Sequence, residues 1–76
     1  MKASATLAPA QGRRFKVGDR VKILPVVKTP FIGLEGTVRD VLADHRFITT
    51  LDRYAVEFGW GETQLFYDVQ LAAAPK

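Results

Sequence analysis

Between Phe15 and Leu71 several short runs of this chain alternate apolar with polar residues, and glycine, proline and acidic residues separate them. That two-residue period belongs to strands half-covered by a core, and no stretch shows the longer period of a helix. "FKVGDRVKIL" sets the pattern. Gly18-Asp19 make a turn, Val21 and Ile23 alternate with Arg20 and Lys22, and Pro25 ends the first strand. Pro30 keeps residues 25–33 out of a central strand, so they read as a loop or an edge segment. "GLEGTVRDVL" enters a second strand with Val38 toward the core. "ADHRFITTLD" fits either a short strand or an apolar loop. "YDVQL" reads as a single turn leading into a last strand that carries Leu71.

The segment 54–68, "YAVEFGWGETQLFYD", reads as a hairpin. Tyr54, Val56 and Phe58 form one apolar face, and Gly59-Trp60-Gly61 supplies the loop. On the return strand the pattern is read with Thr63, Leu65 and Tyr67 inside and Gln64 and Phe66 outside. The converse assignment would make Phe66 core and expose Leu65. Residues 65–67 are all apolar, so either choice leaves apolar surface, and such surface on a small barrel points to an interface. Four or five strands with glycine turns predict an all-β, five-stranded SH3-like barrel over 13–76, closed on itself, behind a disordered tail at 1–12.

Composition changes that picture in two places. The chain has 76 residues and no cysteine, which excludes disulfides and thiolate metal sites and leaves oligomerisation as the available support for a thin core. The net charge of +3 is unevenly spread. Residues 13–28 carry Arg13, Arg14, Lys16, Arg20, Lys22 and Lys28 against Asp19, a balance of +5, while residues 29–76 balance at −3. One end of the fold is therefore expected to attract anions. No apolar run reaches the roughly 18 residues of a membrane span, and the first residues lack the apolar stretch of a secretion signal, so a cytoplasmic protein is expected.

Candidate chemistry is sparse. No nucleophile stands near a histidine and an acid, and "FIGLEG" lacks the spacing of a phosphate-binding loop. His45, between Asp44 and Arg46, is a lone imidazole in a polar loop. Trp60, at the hairpin tip, either stacks on a ligand or partner or caps the barrel.

"FKVGDRVKI" followed by "PFIGLEGTV" resembles the KOW module of transcription elongation factors and ribosomal proteins, which implies a small barrel that binds RNA or a protein partner. A second resemblance reaches further along the chain. "GDRV" at 18–21 and "YAVE" at 54–57 are similar to motifs of the plasmid-borne type II dihydrofolate reductases, and Thr63-Gln64-Leu65-Phe66 aligns with their Val-Gln-Ile-Tyr active strand. That likeness implies a homotetramer around one pore, NADPH as cofactor, dihydrofolate as substrate and indifference to trimethoprim. It assigns Gln64 to both ring systems, the Leu65 main chain to the nicotinamide and Phe66 to the pore wall. Thr63 flanks the cofactor, and Lys22 or Lys28 attracts its phosphates, since Ile23 stands where the family has a lysine. Positioning would supply most of the acceleration, with water as the proton source.

Overall fold

A computed structural model describes residues 13–75 of the chain; the tail expected at 1–12 lies outside the described residues. Five antiparallel strands form one sheet: β1 (Arg20–Ile23), β2 (Glu35–Leu42), β3 (Arg53–Glu57), β4 (Thr63–Tyr67) and β5 (Leu71–Ala73). Their spatial order is β4-β3-β2-β1-β5. The first four strands follow one another as a meander, and β5 returns to pair with β1, placing Ile23 opposite Leu71. Two 3-10 turns, Thr49–Leu51 and Asp68–Gln70, take the β2–β3 and β4–β5 connections. The all-β class is as the alternation predicts.

Closure is not. No ladder joins β4 to β5, so the sheet is open and both strands are edges. The cause lies in the β4–β5 connection. Its 3-10 turn carries the chain away from β3, and Leu24 donates to the carbonyl of Gln70 at 2.7 Å, which commits the returning strand to β1.

One strand serves both halves of the sheet. The first residues of β2, Glu35 to Thr37, pair with β1, and its residues from Thr37 to Leu42 pair with β3. Within the β2–β3 ladder the register slips between Val38 and Asp40, a bulge that bends β2. At the crossing Gly36 is buried. A β-carbon there would sit 2.6 Å from Val56 Cγ1 and 2.7 Å from the carbonyl oxygen of Glu57, so only glycine fits.

The core follows the alternation on β1 and β3. Val21, Ile23, Val38, Tyr54, Val56, Phe58 and Leu71 are almost completely buried, with Phe15 and Phe66 beside them. Phe31, from the β1–β2 connection, stacks on Phe58 with ring centroids 5.0 Å apart, and Trp60 stacks on the other side of Phe58 at the same distance. Phe66 meets both Phe31 and Phe58 edge-on. These are the offset and T-shaped arrangements that aromatic quadrupoles favour.

Candidate functional site

The segment that carried the functional expectation is β4, and its faces are exchanged relative to the sequence reading. Phe66 is 4% exposed and packs in the core, whereas Leu65 and Tyr67 are 49% and 47% exposed on the outside. The hairpin turn is the reason. Gly61 N–H bonds the carbonyl of Phe58 at 2.9 Å and Gly61 takes a φ of +93°, so the loop is the three residues Gly59, Trp60 and Gly61. A three-residue loop sets Phe58 opposite Glu62, hence Val56 opposite Gln64 and Tyr54 opposite Phe66. Paired residues share a face, and Tyr54, Val56 and Phe58 point inward. Gln64 and Phe66 must follow them. The signal was in the sequence as the loop length together with the inward set 54, 56 and 58.

Gln64 is still exposed, because it lies at the rim where the inner face meets solvent. Its amide donates to Glu62 Oε2 at 2.7 Å, and the Trp60 indole donates to Glu62 Oε1 at 2.9 Å. These two donors hold the Glu62 carboxyl below its ordinary pKa, the indole contributing most. Trp60 therefore caps the aromatic stack with one ring face and leaves the other toward solvent. Thr63 is exposed on the outer face. Lys22, on β1, is separated from β4 by two intervening strands, and Lys28 lies in the β1–β2 connection. The six residues proposed from the sequence are not assembled into one cluster within a single chain.

The basic stretch is largely neutralised from within. Arg13 Nε donates to Asp52 Oδ2 at 2.8 Å, and the Asp52 side chain is only 1% exposed. Arg14 pairs with Asp68, donates to the carbonyls of Asp68 and Leu71 at 2.7 Å each, and lies 4.6 Å over the Phe15 ring. Lys16 pairs with Asp19, and Arg20 with Glu35. Arg13 and Arg14 thus staple their segment to the β2–β3 and β4–β5 connections, while Lys16 and Arg20 pair with acids of the turn before β1 and of β2. The partners of Arg13 and Arg14 lie 39 and 54 residues away, beyond the reach of a local charge count.

A concavity lies at the opposite end of the β3–β4 hairpin from Trp60. It is a groove of about 690 Å³ between the β2–β3 connection and the end of β4. Leu42, Leu51, Tyr67 and Val69 give it apolar walls, Arg46 and Arg53 give it cations, and His45 adds an imidazole. Asp44 is its acid and is already committed. Its carboxylate accepts the N–H groups of Arg46 and Ile48 and faces the Arg46 guanidinium at 3.5 Å. Desolvation works to raise the Asp44 carboxyl, but those hydrogen bonds and the guanidinium outweigh it, and its pKa falls below the ordinary value. The backbone N–H of Asp44 bonds Asp52 Oδ1 at 2.8 Å, so the ion pair of Arg13 also anchors this wall.

At the tip of the same connection Phe47 is 65% exposed with a φ of +61°, a conformation that L-residues other than asparagine and aspartate rarely adopt. Its N–H bonds the carbonyl of Asp44 at 2.8 Å, which holds the turn. Nothing in the core asks for a phenylalanine there.

Other groups offer little chemistry. Burial raises the Tyr54 hydroxyl above its ordinary pKa, the Asp68 carboxylate adding to the push, so the phenol keeps its proton inside the core. Among the described residues no group of three histidine or acidic side chains could hold a metal ion, and no helix is long and apolar enough to cross a membrane. Comparison of the chain with protein-family models, curated proteins and solved structures finds no match.

Proposed function

We propose that this chain is a non-catalytic binding module, built like a small KOW or SH3-type domain, which takes an extended, acidic and partly apolar protein segment in the groove beside Tyr67. The observation that carries this reading is the composition of that groove. Its walls are apolar, and its one carboxylate, Asp44, is bonded to its own loop and paired with Arg46, so that the Arg53 guanidinium stands as the charge in excess, with the His45 imidazole beside it. Its volume suits a few side chains of a guest. A protein segment is favoured over RNA because Arg13, Arg14, Lys16 and Arg20 are held by acids of the same chain, which weakens the field that nucleic acid needs.

The test is selection of binders from a displayed random-peptide library. Enriched peptides should combine a carboxylate with an aromatic or aliphatic residue, and Arg53→Glu should weaken them at least about tenfold, since a rim cation would become a repelling anion. Enrichment of basic peptides would refute this reading. So would tight binding of an RNA pool with a steep salt dependence.

A second reading keeps the reductase resemblance, favoured by "GDRV", "YAVE" and the exposure of Gln64. In it a homotetramer gathers several copies of Gln64 around NADPH and dihydrofolate. Steady oxidation of NADPH by the purified chain with dihydrofolate and trimethoprim present, lost in Gln64→Ala, would move the assignment to the reductase.

A further inference from the structure

The two edges of the open sheet are protected differently. β5 is three residues long, the kind of short edge that offers little to a passing strand. β4 runs Thr63-Gln64-Leu65-Phe66-Tyr67, with no proline, no glycine, no charged side chain and no bulge. It therefore lacks the proline, the charge and the bulge by which edge strands often discourage pairing.

Its free hydrogen-bonding groups follow from the register. Phe58 N–H bonds the carbonyl of Glu62, and Asp68 N–H bonds the carbonyl of Asp52. With the antiparallel period of two, Gln64 and Phe66 turn their main-chain groups toward β3, and Thr63, Leu65 and Tyr67 turn theirs outward. Among these, Tyr67 N–H is bonded to Gln70 Oε1 at 2.9 Å. The side chains of the outward set are the exposed Thr63, Leu65 and Tyr67.

We propose that β4 pairs antiparallel with β4 of a second copy, about a two-fold axis at Leu65, to make one continuous sheet. This register uses Leu65 of both copies and brings the Thr63 N–H of each to the Tyr67 carbonyl of the other. Leu65 of each copy donates to Leu65 of the other, while Tyr67 N–H keeps its bond to Gln70. The outer-face rows are self-complementary. Ala55 lies opposite Leu65 within one chain, so the central row becomes Ala55, Leu65, then Leu65 and Ala55 of the second copy. The flanking row runs Arg53, Tyr67, then Thr63 and Glu57 of the second copy, ending in opposite charges. The acids brought nearest one another, Glu62 and Asp68 of the second copy, are already held by Trp60 with Gln64 and by Arg14. Because Tyr67 and Arg53 also line the groove, the second copy would extend that wall with its own Thr63.

The experiment is sedimentation equilibrium of the full chain from about 10 µM to about 1 mM, a range that spans weak to moderate self-association. The apparent mass should rise from 8.4 kDa toward twice that value. Leu65→Lys, at a half-exposed position that the fold tolerates, should raise the dissociation constant at least about tenfold by placing two lysines face to face. In the wild-type chain, amide exchange at Leu65 and Thr63 should slow as concentration rises while that at Gln64 stays constant. A mass that stays monomeric across the range overturns the proposal. So does an assembly that folded Leu65→Lys leaves intact, or exchange at Leu65 that ignores concentration.

Discussion

Glu62 accepts from the Trp60 indole on one oxygen and the Gln64 amide on the other, and the pair of bonds favours the charged carboxylate. Its folded pKa is therefore lowered from the ordinary 4.5, and the arrangement is fully formed above that value and lost as pH falls through the depressed one. Because Trp60 is the sole tryptophan, its fluorescence and indole N–H resonance report this site alone. Both signals should hold steady from neutrality to about 4.5 and change below it, and Glu62→Gln should flatten the response. A wild-type transition centred above 4.5 would contradict the assigned hydrogen bonds. The same residues show how a side chain can be exposed without being available. Gln64 stands in solvent, yet its amide is already occupied by a neighbour two residues away.

At the level of elements, the sharpest constraint is the crossing of β2 over β3. A methyl group at Gly36 has nowhere to go, since Val56 Cγ1 and the Glu57 carbonyl both lie inside contact distance. Gly36→Ala should cost about 2–3 kcal/mol, read as a lower urea midpoint with an unchanged m-value. The strands themselves were legible in the sequence. Pro25 marks the end of β1, the alternation of Val21 and Ile23 marks its buried face, and the glycine-flanked Trp60 marks the hairpin. The orientation of β4 was harder to read because Leu65, Phe66 and Tyr67 are all apolar, so its own alternation favours neither face. Only the register imposed by the three-residue loop decides it. The groove was less legible still, since His45, Arg53, Tyr67 and Val69 come from three separated stretches that meet through the two 3-10 turns.

For the whole molecule the deciding feature is the fate of the basic residues near the chain start. A charge count over 13–28 describes a patch looking for an anion, whereas the folded chain answers most of it with its own acids. The pairs to Asp52 and Asp68 join positions that no local pattern relates. Removing one partner should be costly because the acids are buried. Arg13→Ala should lower stability by about 2 kcal/mol or more, measured by thermal or urea unfolding, since Asp52 would remain buried with its charge uncompensated.

Those long-range ion pairs also bear on the order of events in folding. The β3–β4 hairpin closes over three residues, while Arg14 must find carbonyls and a carboxylate 54 and 57 residues further along. Loop-closure entropy places such contacts late, after the strands have condensed. The arginine arm is then absent from the rate-limiting transition state and works as a latch on the finished sheet. In a chevron, Arg14→Ala should steepen nothing on the refolding limb and leave its rate nearly unchanged, while unfolding accelerates by the full loss in stability.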